Sequence, residues 1–284
     1  MRNINKSFQI CLYNIRKWFA NPRIYILALL LVIFVINYVG PISRFSKSVG
    51  YRVSPWIFPY ISDYYFTQML MMLGLIFLFC DAPFMDEGQT YFIIRSGRFT
   101  WGLGQVFYIM IGTACYFLFI IILSTLVIAP NMFFSLGWGK VMGTLAQTNA
   151  GLLYKIPLPI SHQIQLLYSP IQAFLTSFFL EWCAGTMLGL IVFVVNINFS
   201  RAMGVIVASA VAMLDTVIFN ALPFFMNHFS PVSMARLSIL DPSGLSLRPT
   251  NVYSYIFFII GIIILTAISL FSALKRDVIV LPTI

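Results

Sequence analysis

The chain of 284 residues is 60% hydrophobic and 17% aromatic, only 9% of it is Asp, Glu, Lys or Arg, and its mean hydropathy is +0.93. A soluble domain carries about 25% charged residues, so this composition excludes a water-soluble globule, a disordered chain and a disulfide-stapled secreted one, and implies an all-α integral membrane protein. The net charge of +9 comes without a basic cluster, which points to anionic lipid and away from nucleic acid.

The first element is amphipathic. Ile4, Phe8, Cys11, Leu12, Ile15 and Phe19 recur at helical spacing, while Asn5, Lys6, Gln9, Arg16 and Lys17 take the other face. Residues 1–23 therefore read as a helix lying in the membrane interface. They do not read as a cleaved leader, because the charged stretch is too long and no A-x-A site follows the first apolar run. Residues 24–284 read as a transmembrane domain, with six candidate spans at about 24–40, 64–84, 102–129, 167–195, 202–225 and 252–274.

With a cytoplasmic amino terminus, the short inner segments hold ten Lys and Arg and the longer outer ones hold seven. The excess of inner cations puts both termini in the cytoplasm. The outer segments, about 41–63, 130–166 and 226–251, contain apolar stretches such as Met132 to Leu136 and Leu152 to Ile160, expected to pack as short interfacial helices. Cys11, Cys80, Cys115 and Cys183 have no ligand-like spacing and read as small packing residues.

No GxxxxGK[ST], HExxH, GxSxG or paired-carboxylate pattern occurs. The chain is thus not expected to be an enzyme or to hold a metal or cofactor, and ATP with Mg would be handled by a partner. Two carboxylates lie inside spans, and such residues mark a pathway or a partner. Glu181, within Phe178-Phe179-Leu180-Glu181-Trp182-Cys183, sits near the middle of the fourth span. It reads either as a substrate or proton contact, or as a protonated or hydrogen-bonded carboxyl that pins packing. Asp215 lies nearer the outer side of the fifth span, and reads as a packing or cavity-lining group or as a substrate contact. Gly185 and Gly189 form a small-xxx-small pair, read as intramolecular packing.

Segment 83–101 carries the most pattern. Asp86, Glu87, Gly88 and Thr90 come first, a short apolar stretch follows, and Arg95 and Arg98 close it. This acid-to-base polarity suits a short helix. On the cytoplasmic side it would offer Tyr91, Phe92 and Ile94 to a soluble partner; the alternative is an ordinary loop laid on lipid.

An acidic residue followed by Gly-x-Thr, an apolar stretch and Arg-Ser-x-Arg before the third span resembles the first cytoplasmic loop of ABC-2 type permeases, the membrane subunits of bacterial ABC exporters. The resemblance extends to the amphipathic first helix, the six spans and the apolar outer segment before the last one. It implies a bacterial plasma-membrane permease that pairs with a second permease, identical or homologous, and with two copies of an ATPase. The cargo would be hydrophobic or amphipathic: a peptide, lipid or drug. Asp86, Glu87, Gly88, Thr90, Arg95 and Arg98 would then belong to a coupling helix that docks on the ATPase, with Glu181 and Asp215 as candidates for the substrate path. The long outer loop 130–166 departs from the family pattern. Two other readings stand beside this one: a proton-driven secondary transporter using Glu181 and Asp215, although no internal repeat is visible, and a non-transporting immunity or sensor protein acting through its outer loops.

Overall fold

The computed structural model describes residues 2–84 and 87–275, and it is built of α-helices joined by short 3-10 turns. Five helices are long and apolar enough to cross a membrane: α2 (Pro22–Val49), α6 (Arg98–Ile128), α10 (Pro170–Asn198), α11 (Arg201–Ala221) and α12 (Asn251–Lys275). The segment expected at 64–84 is different. It is α4 (Tyr65–Phe79), only 15 residues, or roughly 22 Å at 1.5 Å per residue against about 30 Å of hydrocarbon. Before it lies α3 (Phe58–Asp63), separated by an extended Tyr64 with ψ of 118°, and after it residues 80–84 form turns.

Side-chain bonds define two ends of the bundle. At the near end, Arg23 of α2 ion-pairs with Asp81 just past α4. Asn196 Nδ2 of α10 donates to Ala82 O at 2.7 Å, and Arg98 Nη1 of α6 donates to Leu274 O of α12 at 3.2 Å. At the far end, Asn131 Nδ2 donates to Ser43 O at 3.2 Å, and Tyr168 OH donates to Asn251 Oδ1 at 2.9 Å. Tyr65 of α4 stacks there on Phe219 of α11 with centroids 4.2 Å apart. Thus α2, α4, α6, α10, α11 and α12 run alternately between the ends, with α10 at the centre against α4, α6, α11 and α12. Its glycines make that position possible. A Cβ on Gly185 would come within 2.6 Å of Leu75 Cδ2, and one on Gly189 within 2.6 Å of Ile109 Cγ2, so this pair is an intramolecular seam.

Helix α1 (Arg2–Arg16) lies across the near end and has three faces where the sequence suggests two. Ser7, Ile10, Cys11 and Asn14 are buried against α6, whereas Ile4, Phe8 and Leu12 stay exposed on an apolar strip. Ser7 Oγ donates to Thr100 O at 2.9 Å. Close approach is set by Gly104, where a Cβ would lie 2.8 Å from Ile10 Cβ.

At the far end, the segment after α6 holds α7 (Gly139–Gln147), α8 (Ala150–Leu153) and α9 (His162–Leu167). Short helices were expected there, but they largely avoid the apolar stretches. Residues 132–136 are irregular, clipped to the chain after α2 by Val53 N to Asn131 O at 2.9 Å and Phe133 N to Val53 O at 3.0 Å. The stretch between α11 and α12 is exposed at its two ends and buried in its middle. Val232, Met234, Ala235, Leu237 and Leu240 are fully buried, and its 3-10 turns pack on α3 and α10. It leaves the interior through a turn in which the Ser243 and Ser246 hydroxyls and N–H groups bond the Asp241 carboxylate and hold it well below the usual carboxylate range.

Candidate functional site

Between α4 and α6, at the near end, lies α5 (Glu87–Ser96). Its inner face is tied down by one buried amide. Gln89 Nε2 donates to Asn14 Oδ1 of α1 at 2.6 Å, while Gln89 Oε1 accepts from Trp101 Nε1 at 2.7 Å and Gln105 Nε2 at 3.2 Å, both on α6. The ring closes with Asn14 Nδ2 donating to Gln105 Oε1 at 2.9 Å. All four side chains are buried and uncharged, so the network costs no ion desolvation.

Glycine is required beside it. A Cβ on Gly88 would run into the Tyr13 hydroxyl, and the Tyr13 ring meets Phe92 edge to face at 4.9 Å. Gly97, with φ of +86°, supplies the left-handed link that lets α6 start directly after α5. The opposite face of α5 is open: Tyr91 is 58% and Ile94 81% exposed, and Arg95 Nη1 donates to Tyr91 OH at 3.0 Å.

The residues expected to meet a partner therefore separate. Arg95 lies outward with Tyr91 and Ile94; Gly88 faces α1; Arg98 is bonded to the end of α12. Phe92, expected to face outward, turns in toward Tyr13 because it shares a helical face with Gln89. Asp86, and the side chains of Glu87 and Thr90, lie outside the described residues. Sequence reasoning misses Asn14, Gln89, Trp101 and Gln105; the one spacing signal is Trp101 and Gln105, four apart on α6, while Asn14 and Gln89 stand as single amides on two other helices.

A second constellation sits where the buried segment after α11 meets the core. Arg236 Nη1 lies 3.3 Å from Asp215 Oδ1, and Arg236 Nε donates to Asp63 O at 2.7 Å. The Asp63 carboxylate accepts from Ser238 N at 2.7 Å. Nearby, Gln68 Nε2 donates to Glu181 Oε1 at 3.0 Å and to Val232 O at 2.8 Å. Glu181, Asp215, Asp63 and Arg236 are all buried, and of the three carboxylates the guanidinium is in contact with that of Asp215. Glu181 and Asp215 thus meet protein partners, and Arg236, which reads in the sequence as an outer-loop cation, is an interior one.

A third feature is a near-end cavity of about 270 Å³, lined by Lys17, Trp18, Arg23, Asp81 and Tyr108 among others. Through Trp18, Ile24 and Leu78 it shares walls with an apolar groove of about 270 Å³ between α2 and α6. A charged chamber adjoining an apolar groove suits a molecule with a polar head and a hydrocarbon part.

No family model, curated protein or solved structure matches the chain.

Proposed function

We propose that this chain is the membrane subunit of an ATP-driven exporter of the ABC-2 permease type, working with two copies of an ATPase and a second permease in a bacterial plasma membrane. The observation that carries the reading is α5: a short helix fixed to α1 and α6 by a buried amide ring, with Tyr91, Ile94 and Arg95 left outward. A force applied to that open face would pass into α6 through the amide ring as well as through the Gly97 link, because each side chain in the ring is bonded to its neighbours. ATP binding by the partner would supply the energy through its different affinity for the two states of the permease. In this reading α4, helped by α3, makes the sixth crossing, both termini are cytoplasmic, and the exposed strip of α1 rests in the inner leaflet. The cargo is hydrophobic or amphipathic, in keeping with the charged chamber and its adjoining apolar groove. Glu181 and Asp215 would then shape the path from inside the bundle.

Purification of the tagged full chain from its native host in mild detergent, followed by mass spectrometry, tests this. The expected result is a co-purifying chain with a phosphate-binding loop. Recovery of the chain alone at stoichiometric purity would overturn the reading and favour a secondary transporter or an immunity protein.

A further inference from the structure

We propose that Glu181 is a buried proton-binding site: it holds one proton on Oε2, as a neutral carboxylic acid paired with Gln68, between α4, α10 and the buried segment after α11. The evidence is a pair of atoms left without partners. Gln68 Oε1 and Glu181 Oε2 are both buried and neither has a hydrogen-bond partner among the described residues. Each is an acceptor, so no rearrangement of the amide alone satisfies both. Nor can the amide be turned round, since the atom 2.8 Å from Val232 O must be a donor and is therefore Nε2. One proton taken up from solvent onto Oε2 converts that atom into a donor. The unpartnered acceptor on the adjoining side chain, Gln68 Oε1, is its complement, as in any acid-amide pair.

The charge count leads to the same place. Gln68 on α4 is bonded to Glu181, and the ionisable groups near enough to act on it electrostatically are Asp63 at the end of α3, Asp215 on α11, Arg236 on the buried segment, and Tyr116 on α6, whose hydroxyl donates to Met71 O at 2.8 Å. Helix α12 adds no charge there, its one described charged residue being Lys275 at the opposite end. Arg236 is already shared between the Asp215 carboxylate and the Asp63 carbonyl. An ionised Glu181 would thus be a further anion with no cation in contact, inside a bundle surrounded by hydrocarbon, at a cost of several kcal/mol. A bound sodium ion or water would need room, whereas Glu181 and Gln68 are fully buried; a proton needs none.

The site joins three elements, since Gln68 bonds both Glu181 and Val232 O. Loss of the proton would leave a buried charge beside two unpartnered acceptors and would loosen the buried segment from α10. This inference holds whether or not the chain works with an ATPase.

The chain contains two glutamates, Glu87 and Glu181, which makes infrared spectroscopy selective. The purified full chain, labelled with ¹³C at the glutamate side-chain carboxyl and carrying Glu87→Gln, should show the isotope-shifted carbonyl band of a protonated acid at neutral pH. That band should fade as the pH is made alkaline. Label appearing only in carboxylate bands at neutral pH would overturn the proposal. Thermal unfolding gives an independent check. Folding that takes up a proton loses stability as pH rises, so the wild-type midpoint should fall more steeply toward alkaline pH than that of Glu181→Gln. An equal fall in both would also overturn it.

Discussion

Two buried polar clusters hold this molecule together, and they are built on opposite principles. The near-end cluster of Asn14, Gln89, Trp101 and Gln105 is neutral, with its side chains bonded in a ring. The other cluster, of Asp63, Gln68, Glu181, Asp215 and Arg236, is charged, and two of its acceptors find a complement only if Glu181 carries a proton. A neutral, satisfied network has one good arrangement and behaves as a rigid joint. A charged, incompletely satisfied one depends on its protonation and on every member being present. The first suits passing on a movement, and the second suits changing state.

The sharpest way to break the comparison is to remove one partner from each. Arg236→Met leaves Asp215 as an uncompensated buried charge and should destabilise the protein by about 3–5 kcal/mol, read by unfolding in detergent. A loss below about 1 kcal/mol would mean that the guanidinium does not balance the cluster. Glutamine 89 comes next. Gln89→Leu strands the Trp101 N–H, the Gln105 Nε2 and the Asn14 Oδ1 without adding a charge, and should cost about 1–3 kcal/mol. Its signature should be local: faster amide hydrogen exchange in α5 with the core of α10 unchanged. Equal losses from the two variants would erase the distinction between neutral and charged clusters. The smallest change is expected from Glu181→Gln near neutral pH, because an amide stands in for a protonated acid at nearly the same volume.

What the sequence reveals follows from how each element is stabilised. Long spans are legible because crossing hydrocarbon demands a long, predominantly apolar stretch, and α6, α10 and α12 have one. Helix α4 is apolar too, but its length is decided by the extended Tyr64 at one end and the turn at 80–84 at the other, neither of which alters hydropathy. The existence of α5 is visible in its acidic start and basic finish. Its orientation is visible only as spacing: Gln89, Phe92 and Ile93 share one face, Tyr91, Ile94 and Arg95 the other. The buried segment after α11 was least legible. Its 3-10 turns carry no long periodicity, and Arg236 looks like any loop cation until the fold brings Asp63 and Asp215 to it.

Under the proposed function the open face of α5 would meet an ATPase. A photo-crosslinking residue placed at Ile94, the most exposed apolar position of that helix, tests it in the native membrane. The account predicts a crosslinked partner whose sequence contains a phosphate-binding loop, and a lower yield of that product when Arg95 is replaced by Glu. Crosslinks to lipid alone would contradict it and return α5 to an ordinary segment lying on the membrane.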